Sequence, residues 1–147
     1  MKLVVLCLFA VCCWSLANTT TTEGPTRGQT RKLQEVLRQL NDVRESLQQN
    51  DTMLNAPPEN IEDCCSLTAL ECFRSSLQAH FVTTQKKMSK LIKSLRNSLT
   101  VNALNFCTQG NVEPTCSECG SDGEVNVQEF FNRLKSFIQE GITRLNN

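Results

Sequence analysis

Nine cysteines are the side chains of this 147-residue chain with the greatest chemical potential. Three of them lie in an apolar run near the N-terminus, and six follow later. Cys116 and Cys119 have the Cys-x-x-Cys spacing that occurs in redox centres, zinc sites and disulfide frameworks. A redox centre of this type needs a βαβ context, which the sequence pattern lacks. The choice between zinc and disulfides therefore depends on the compartment.

The N-terminus indicates an oxidising compartment. Lys2 precedes an apolar run over residues 3–14, and Ser15-Leu16-Ala17 places small residues at the −3 and −1 positions of a signal-peptidase site. The run is shorter than the ~20 residues that span a bilayer, so an uncleaved anchor helix is the weaker alternative. We predict a signal peptide over residues 1–17 and a secreted, extracellular domain over residues 18–147.

Secretion favours disulfides over zinc, because an even number of cysteines in a small secreted chain is typical of a disulfide framework. Cys65 and Cys72 are two helical turns apart and share a face of a predicted helix. Cys116 and Cys119 lie together before the last predicted helix. Two bridges between these pairs would hold a long connection against the earlier helix, and the two remaining cysteines could form a third bridge. The six are Cys64, Cys65, Cys72, Cys107, Cys116 and Cys119.

Four stretches with apolar residues at helical spacing are the elements that position these cysteines. Thr30 is the predicted N-cap of the first, after a loose segment over residues 18–29. Asn126 and Glu129 resemble a capping box before the last. No stretch shows strand-like alternation. The predicted helices run from Arg31 to Leu47, from Cys65 to Phe81, from Gln85 to about Leu99, and from Val127 to about Leu145.

The connections between these helices are long, short and long. The first contains Ala56-Pro57-Pro58, which cannot continue a helix, and the last runs from Thr100 to Glu124. Only residues 82–84 separate the second and third helices. A helix of about 17 residues is only ~25 Å long, so both outer connections can cross a bundle. We therefore predict an all-α, disulfide-bonded four-helix bundle with up-up-down-down topology.

The remaining chemistry of the chain is limited. Lys plus Arg and Asp plus Glu each number 15, and a balanced charge gives no general attraction to nucleic acid or anionic membranes. His80 is the single histidine, and no nucleophile motif accompanies it. We expect a monomer without catalytic residues, metal or cofactor, and without membrane insertion. Asn50-Asp51-Thr52 is a sequon, so Asn50 is the predicted glycosylation site.

Two blocks of sequence carry a family resemblance. The first is APPENIEDCC at residues 56–65, followed by Cys72-Phe73, and the second combines TCSEC at 115–119 with QEFFNRLKSFIQ at 128–139. Here, and over nearly all of residues 18–147, the chain resembles the common-gamma-chain cytokines, the family of interleukin-2, interleukin-15 and interleukin-21. The resemblance implies a secreted four-helix cytokine with bridges Cys65–Cys116 and Cys72–Cys119. Cys64 and Cys107 depart from that two-bridge pattern.

The resemblance also implies partners, namely the ectodomains of the common gamma chain and of a private, interleukin-21-receptor-like chain. Gln139 and Ile142 on the last helix and Val36 on the first would contact the common gamma chain. From the residues alone, Gln139 is an ordinary solvated side chain and Val36 fits core packing equally well.

The private chain would bind the first helix and a basic stripe on the third helix, where no acid interrupts residues 86–96. Such a stripe is usually a solvated face, but it can also steer an acidic partner. The residues implied are Arg31, Gln34, Glu35, Arg38, Lys86, Lys87, Lys90, Lys93 and Arg96.

A disulfide-rich helical lipid-binding domain, like saposins or plant lipid-transfer proteins, is the alternative from another functional class. Such domains are also small, secreted and helical, with six cysteines. They need a cavity or an exposed apolar face. Each predicted helix here has one apolar stripe opposite a charged face, which favours a closed core.

Overall fold

The computed structural model describes residues 25–81, 85–108 and 115–147, and most of these residues are helical. The predicted signal peptide and the turn at residues 82–84 lie outside the described residues. Five α-helices are present in the described ranges, and a 3₁₀ turn at Asp63–Cys65 leads into the second. They are α1 (Pro25–Ser46), α2 (Ser66–His80), α3 (Lys86–Arg96), α4 (Ser98–Ala103) and α5 (Val127–Asn146).

Two short strands accompany the helices, so the prediction of no strand was wrong. Strand β1 (Met53–Asn55) pairs antiparallel with β2 (Glu124–Asn126), and Leu54 lies opposite Val125. The ribbon joins the long connection after α1 to the one before α5. Leu54 is fully buried, so the ribbon also closes one edge of the core.

Helix α1 begins at Pro25 rather than at Arg31, and the prediction of a loose segment is wrong for residues 25–29. Proline suits a first helical turn, because its missing N–H has no intrahelical partner there. Thr30 is not an N-cap, since its hydroxyl donates to the Thr26 carbonyl inside the helix at 3.0 Å.

The third predicted helix is divided at Asn97. Its backbone is extended (φ −59°, ψ 139°), and its side chain accepts a hydrogen bond from the Leu99 N–H at 2.9 Å. Asparagine favours such cap positions over helix interiors because its side chain competes for backbone donors. Helix α4 then continues to Ala103, inside the connection that the sequence predicted. At the start of α5, Asn126 caps the Glu129 N–H at 2.8 Å, as predicted.

The apolar stripes of the helices meet in one core. Phe73 of α2 is fully buried, with its ring 5.4 Å from Phe130 and 5.7 Å from Phe137, both on α5. Leu33, Val36 and Leu40 of α1 are also fully buried, and α1 packs against α3, α4 and α5. Aromatic pairs of this kind add ~0.5–1.5 kcal/mol beyond the burial of their area.

Arg133 of α5 anchors the first long connection. Its Nη1 donates to the Pro57 carbonyl at 2.9 Å, and its Nε donates to Glu129 Oε1 at 3.0 Å. Pro57 is a buried residue, and the part-buried hydrogen bond from this guanidinium satisfies its carbonyl. At the other end of the connection, Ser76 of α2 donates to the Asn55 carbonyl. None of the helices in the described ranges is long and apolar enough to cross a bilayer.

Candidate functional site

Three disulfides join the six cysteines after residue 24. Their Cα separations are 4.2, 5.6 and 5.3 Å, which lie within or near the range usual for disulfides. Two pairs are those that the family resemblance implies, and the third joins the two cysteines that depart from its pattern. The bridges are Cys64–Cys107, Cys65–Cys116 and Cys72–Cys119.

The 3₁₀ turn at Asp63–Cys65 holds two diverging bridges. Cys64 joins the segment after α4, while the neighbouring Cys65 joins Cys116 in the segment before β2. Each bridge closes more than forty residues of chain, and in the chain-entropy model a loop of that length stabilises the fold by ~4 kcal/mol. The two bridges therefore fix both ends of one segment against a single turn.

Arg144 ties this turn to the C-terminal end of α5. Its Nη2 donates to Asp63 at 2.7 Å and to Glu140 at 3.1 Å, and the guanidinium lies 4.2 Å from the centre of the Phe106 ring. The hydrogen bond from Arg144 lowers the pKa of the Asp63 carboxyl, and the same bond raises the pKa of Arg144. Sequence reasoning missed this cluster, because Asp63 and Arg144 are 81 residues apart.

A groove of about 550 Å³, lined by polar and charged residues, runs between α1 and α3. Five of the predicted private-receptor residues line this groove. Two belong to α1 and three belong to α3, about fifty residues later in the chain. The others, Arg31, Gln34, Lys86 and Arg96, are exposed on the same two helices but outside the groove lining. The groove is lined by Glu35, Arg38, Gln39, Asp42, Lys87, Lys90, Lys93 and Ser94.

The two walls of this groove differ in charge. The α3 wall carries lysines without an acid, and the α1 wall carries the carboxylates of Glu35 and Asp42 beside Arg38. Glu35 is half-buried and pairs with Lys32 at 3.4 Å. Such a surface can select a partner that presents acidic groups toward α3 and donors toward α1.

Sequence reasoning missed Gln39 and Asp42 in this groove. Gln39 donates to Glu35 Oε1 at 3.3 Å, while its own Oε1 is buried without a hydrogen-bond partner among the described residues. Gln39 and Asp42 follow Glu35 by four and seven residues, so all three lie on one helix face. This spacing could have identified them from the sequence.

The predicted common-gamma-chain residues lie in different environments. Gln139 is exposed on α5, and Ile142 is half-buried against the core. Val36 has no exposed surface, so the prediction of a receptor contact there was wrong and core packing accounts for it. The apolar stripe of α1 faces inward, and Val36 is part of that stripe.

Asn50, the predicted glycosylation site, is exposed between α1 and β1. Its Oδ1 accepts a hydrogen bond from the Thr52 N–H at 2.8 Å, which closes an Asx turn over the sequon. The side chain is therefore accessible in a segment outside regular secondary structure.

Large exposed apolar side chains are few and scattered among the described residues. Met53, Leu67 and Leu99 are 43%, 38% and 38% exposed, and they belong to β1, α2 and α4. Nor does any group of three or more His, Cys, Asp or Glu side chains in these ranges have an arrangement that could hold a metal ion. Compared with models of known protein families, the chain matches none.

Proposed function

We propose that the chain is a secreted cytokine that bridges a private receptor chain and the common gamma chain to signal to immune cells, most like interleukin-21. Interleukin-15-like and interleukin-2-like cytokines are the alternatives within the same family. The α1–α3 groove carries the proposal: Glu35 and Arg38 lie across from Lys87, Lys90 and Lys93, as a shared receptor face requires.

The packing of the helices supports an up-up-down-down topology for this cytokine. Helix α1 packs against α3 and α5, and α2 packs against α3 and, through Phe73, against α5. Within the described residues, α1 and α2 are not packing neighbours. Consecutive helices that lie diagonally across a bundle need a long crossover connection, whereas an up-down-up-down bundle places them side by side.

The disulfides and the charge distribution support secretion and receptor binding. Three bridges in a small chain are typical of an oxidising, extracellular compartment. The α1–α3 groove is lined by residues of α1 and α3, whereas exposed Gln139 lies on α5 and is not part of that lining. Two receptor ectodomains can therefore bind without displacing each other. The lipid-binding alternative needs a large apolar cavity or face, whereas the α1–α3 groove is lined by charged and polar residues.

The test is binding of the oxidised chain, residues 18–147, to immobilised ectodomains of the common gamma chain and the interleukin-21 receptor. We expect the chain to bind both ectodomains, and we expect binding of one ectodomain to tighten binding of the other. The interleukin-2 and interleukin-15 receptor chains serve as matched controls for the family member. A monodisperse, fully oxidised protein that binds none of these chains but sediments with liposomes would replace the cytokine proposal with the lipid-binding one.

A further inference from the structure

Besides the sequons Asn18-Thr19-Thr20 and Asn50-Asp51-Thr52, a third sequence with the form of a glycosylation sequon follows α4, at Asn105-Phe106-Cys107. In the usual sequon the third residue is serine or threonine, whose hydroxyl takes part in recognition of the acceptor asparagine. The cysteine thiol is the other small side chain with both a polar hydrogen and lone pairs at that position. Asn105-Phe106-Cys107 therefore has the chemistry of a weaker acceptor, provided that the thiol is free.

The local geometry of this segment matches that of the Asn50 sequon. Asn105 is exposed and lies outside helix and strand, as Asn50 does. Its Oδ1 accepts a hydrogen bond from the Cys107 N–H at 3.3 Å, and the corresponding bond from Thr52 to Asn50 measures 2.8 Å. Both asparagines thus close the same Asx turn over the third residue of their sequons.

Cys107 differs from Thr52 in one respect, because its sulfur is bonded to Cys64. The bridge removes the thiol hydrogen that the acceptor needs. We propose that Asn105 is an N-glycosylation acceptor that is used only before the Cys64–Cys107 bridge closes. The proposal depends on the secretion that forms part of the proposed function.

The two reactions compete in time for the same segment. In glycosylation, Nδ2 of Asn105 loses a proton and bonds to C1 of an oligosaccharide, and the C1–oxygen bond to its lipid pyrophosphate carrier breaks. In bridge formation, the two thiols lose two protons and two electrons to the disulfide of an oxidoreductase, which becomes a dithiol. A bridge that closes first blocks glycosylation. A glycan attached first allows the bridge to close later, because Asn105 points to solvent.

The experiment expresses the full chain in mammalian cells and measures the fraction of Asn105 that peptide N-glycosidase converts to Asp. Asn18→Gln and Asn50→Gln remove the other sequons, so that any remaining glycan reports on Asn105. In this background, Cys107→Ser restores a serine sequon and removes the bridge, Cys64→Ser frees the Cys107 thiol, and Cys107→Ala removes both thiol and bridge.

We expect low occupancy in the parent, a several-fold rise with Cys64→Ser, the highest occupancy with Cys107→Ser, and none with Cys107→Ala. A bare Asn105 in both serine variants, in cells that glycosylate Asn50 of the unsubstituted chain, would overturn the proposal. A bare Asn50 would instead indicate that secretion has failed. In that case the same variants are expressed with the signal peptide of an established secreted protein, and the glycan occupancy of Asn105 is measured again.

Discussion

Replacing Arg133 by methionine tests how much the part-buried hydrogen bond to Pro57 contributes to holding the first long connection. Methionine keeps most of the apolar stem but removes every donor. In the native protein the guanidinium donates to the Pro57 carbonyl at 2.9 Å and to Glu129 at 3.0 Å, and it lies 3.8 Å from Glu59. The three partners differ in burial, so their contributions can be separated.

The expected cost comes mainly from Pro57. A buried carbonyl that loses its donor costs ~1–3 kcal/mol, and an i,i+4 ion pair on a helix contributes only ~0.3–0.5 kcal/mol. The Glu59 side chain is 72% exposed, so its pair with Arg133 adds little. Arg133→Met should therefore lower the free energy of unfolding by ~2–3 kcal/mol. For a domain of this size, that corresponds to a fall in the melting temperature of about 6–12 °C.

Urea denaturation followed by far-UV circular dichroism, with the disulfides intact, measures this cost. The midpoint should fall while the m-value stays constant. Glu129→Gln and Glu59→Gln are matched controls that keep the Pro57 bond, and each should cost less than about 1 kcal/mol. A loss below ~0.5 kcal/mol for Arg133→Met, or an equal loss for Glu129→Gln, would refute the assignment to Pro57.

Three further predictions concern binding and pH. Lys90→Glu with Lys93→Glu should slow association with the private receptor chain about tenfold and reduce its salt dependence, because the two changes reverse the charge of one groove wall. Surface plasmon resonance measures both effects, and the single reversal Lys86→Glu, on the same helix but outside the groove lining, should slow association less. Gln139→Asp should weaken binding to the common gamma chain without a change in melting temperature, and unaltered affinity would exclude that contact. Asp63→Asn should destabilise the protein most at neutral pH. The folded protein lowers the pKa of Asp63, so the ionised carboxylate stabilises the fold at pH values above the pKa that Asp63 has in the unfolded chain. The difference in stability from wild type should vanish as the pH falls through the native pKa of Asp63.

Helical periodicity predicted the long elements, because each helix buries one continuous apolar stripe. Shorter features gave weaker signals. Strands of three residues, such as Met53–Asn55, are too short to show alternation, and their pairing depends on a partner about seventy residues away. Pro25 falls in the predicted loose segment, although proline is equally suited to a first helical turn. The tertiary fold resolves this ambiguity, since α1 packs along α5.

The α1–α3 groove could be predicted only in part. The basic stripe of α3 is a local pattern, and all five of its charged side chains are exposed. Its position opposite Asp42 and Gln39 depends on which helices are neighbours, which no local pattern determines. The contacts of Arg133 with Pro57 and of Arg144 with Asp63 span 76 and 81 residues, so they too required the assembled fold.

The adjacent bridges of the Asp63–Cys65 turn make a closed covalent ring. Cys64 and Cys65 are consecutive, and they bind the two ends of the segment from Cys107 to Cys116. A protease that cuts this segment once therefore releases nothing, and the nicked protein separates into two pieces only after reduction. Loop closure also becomes only ~0.6 kcal/mol costlier for each doubling of length. The segment is thus a suitable place to insert an epitope tag or a cleavable reporter without loosening the α1–α3 groove.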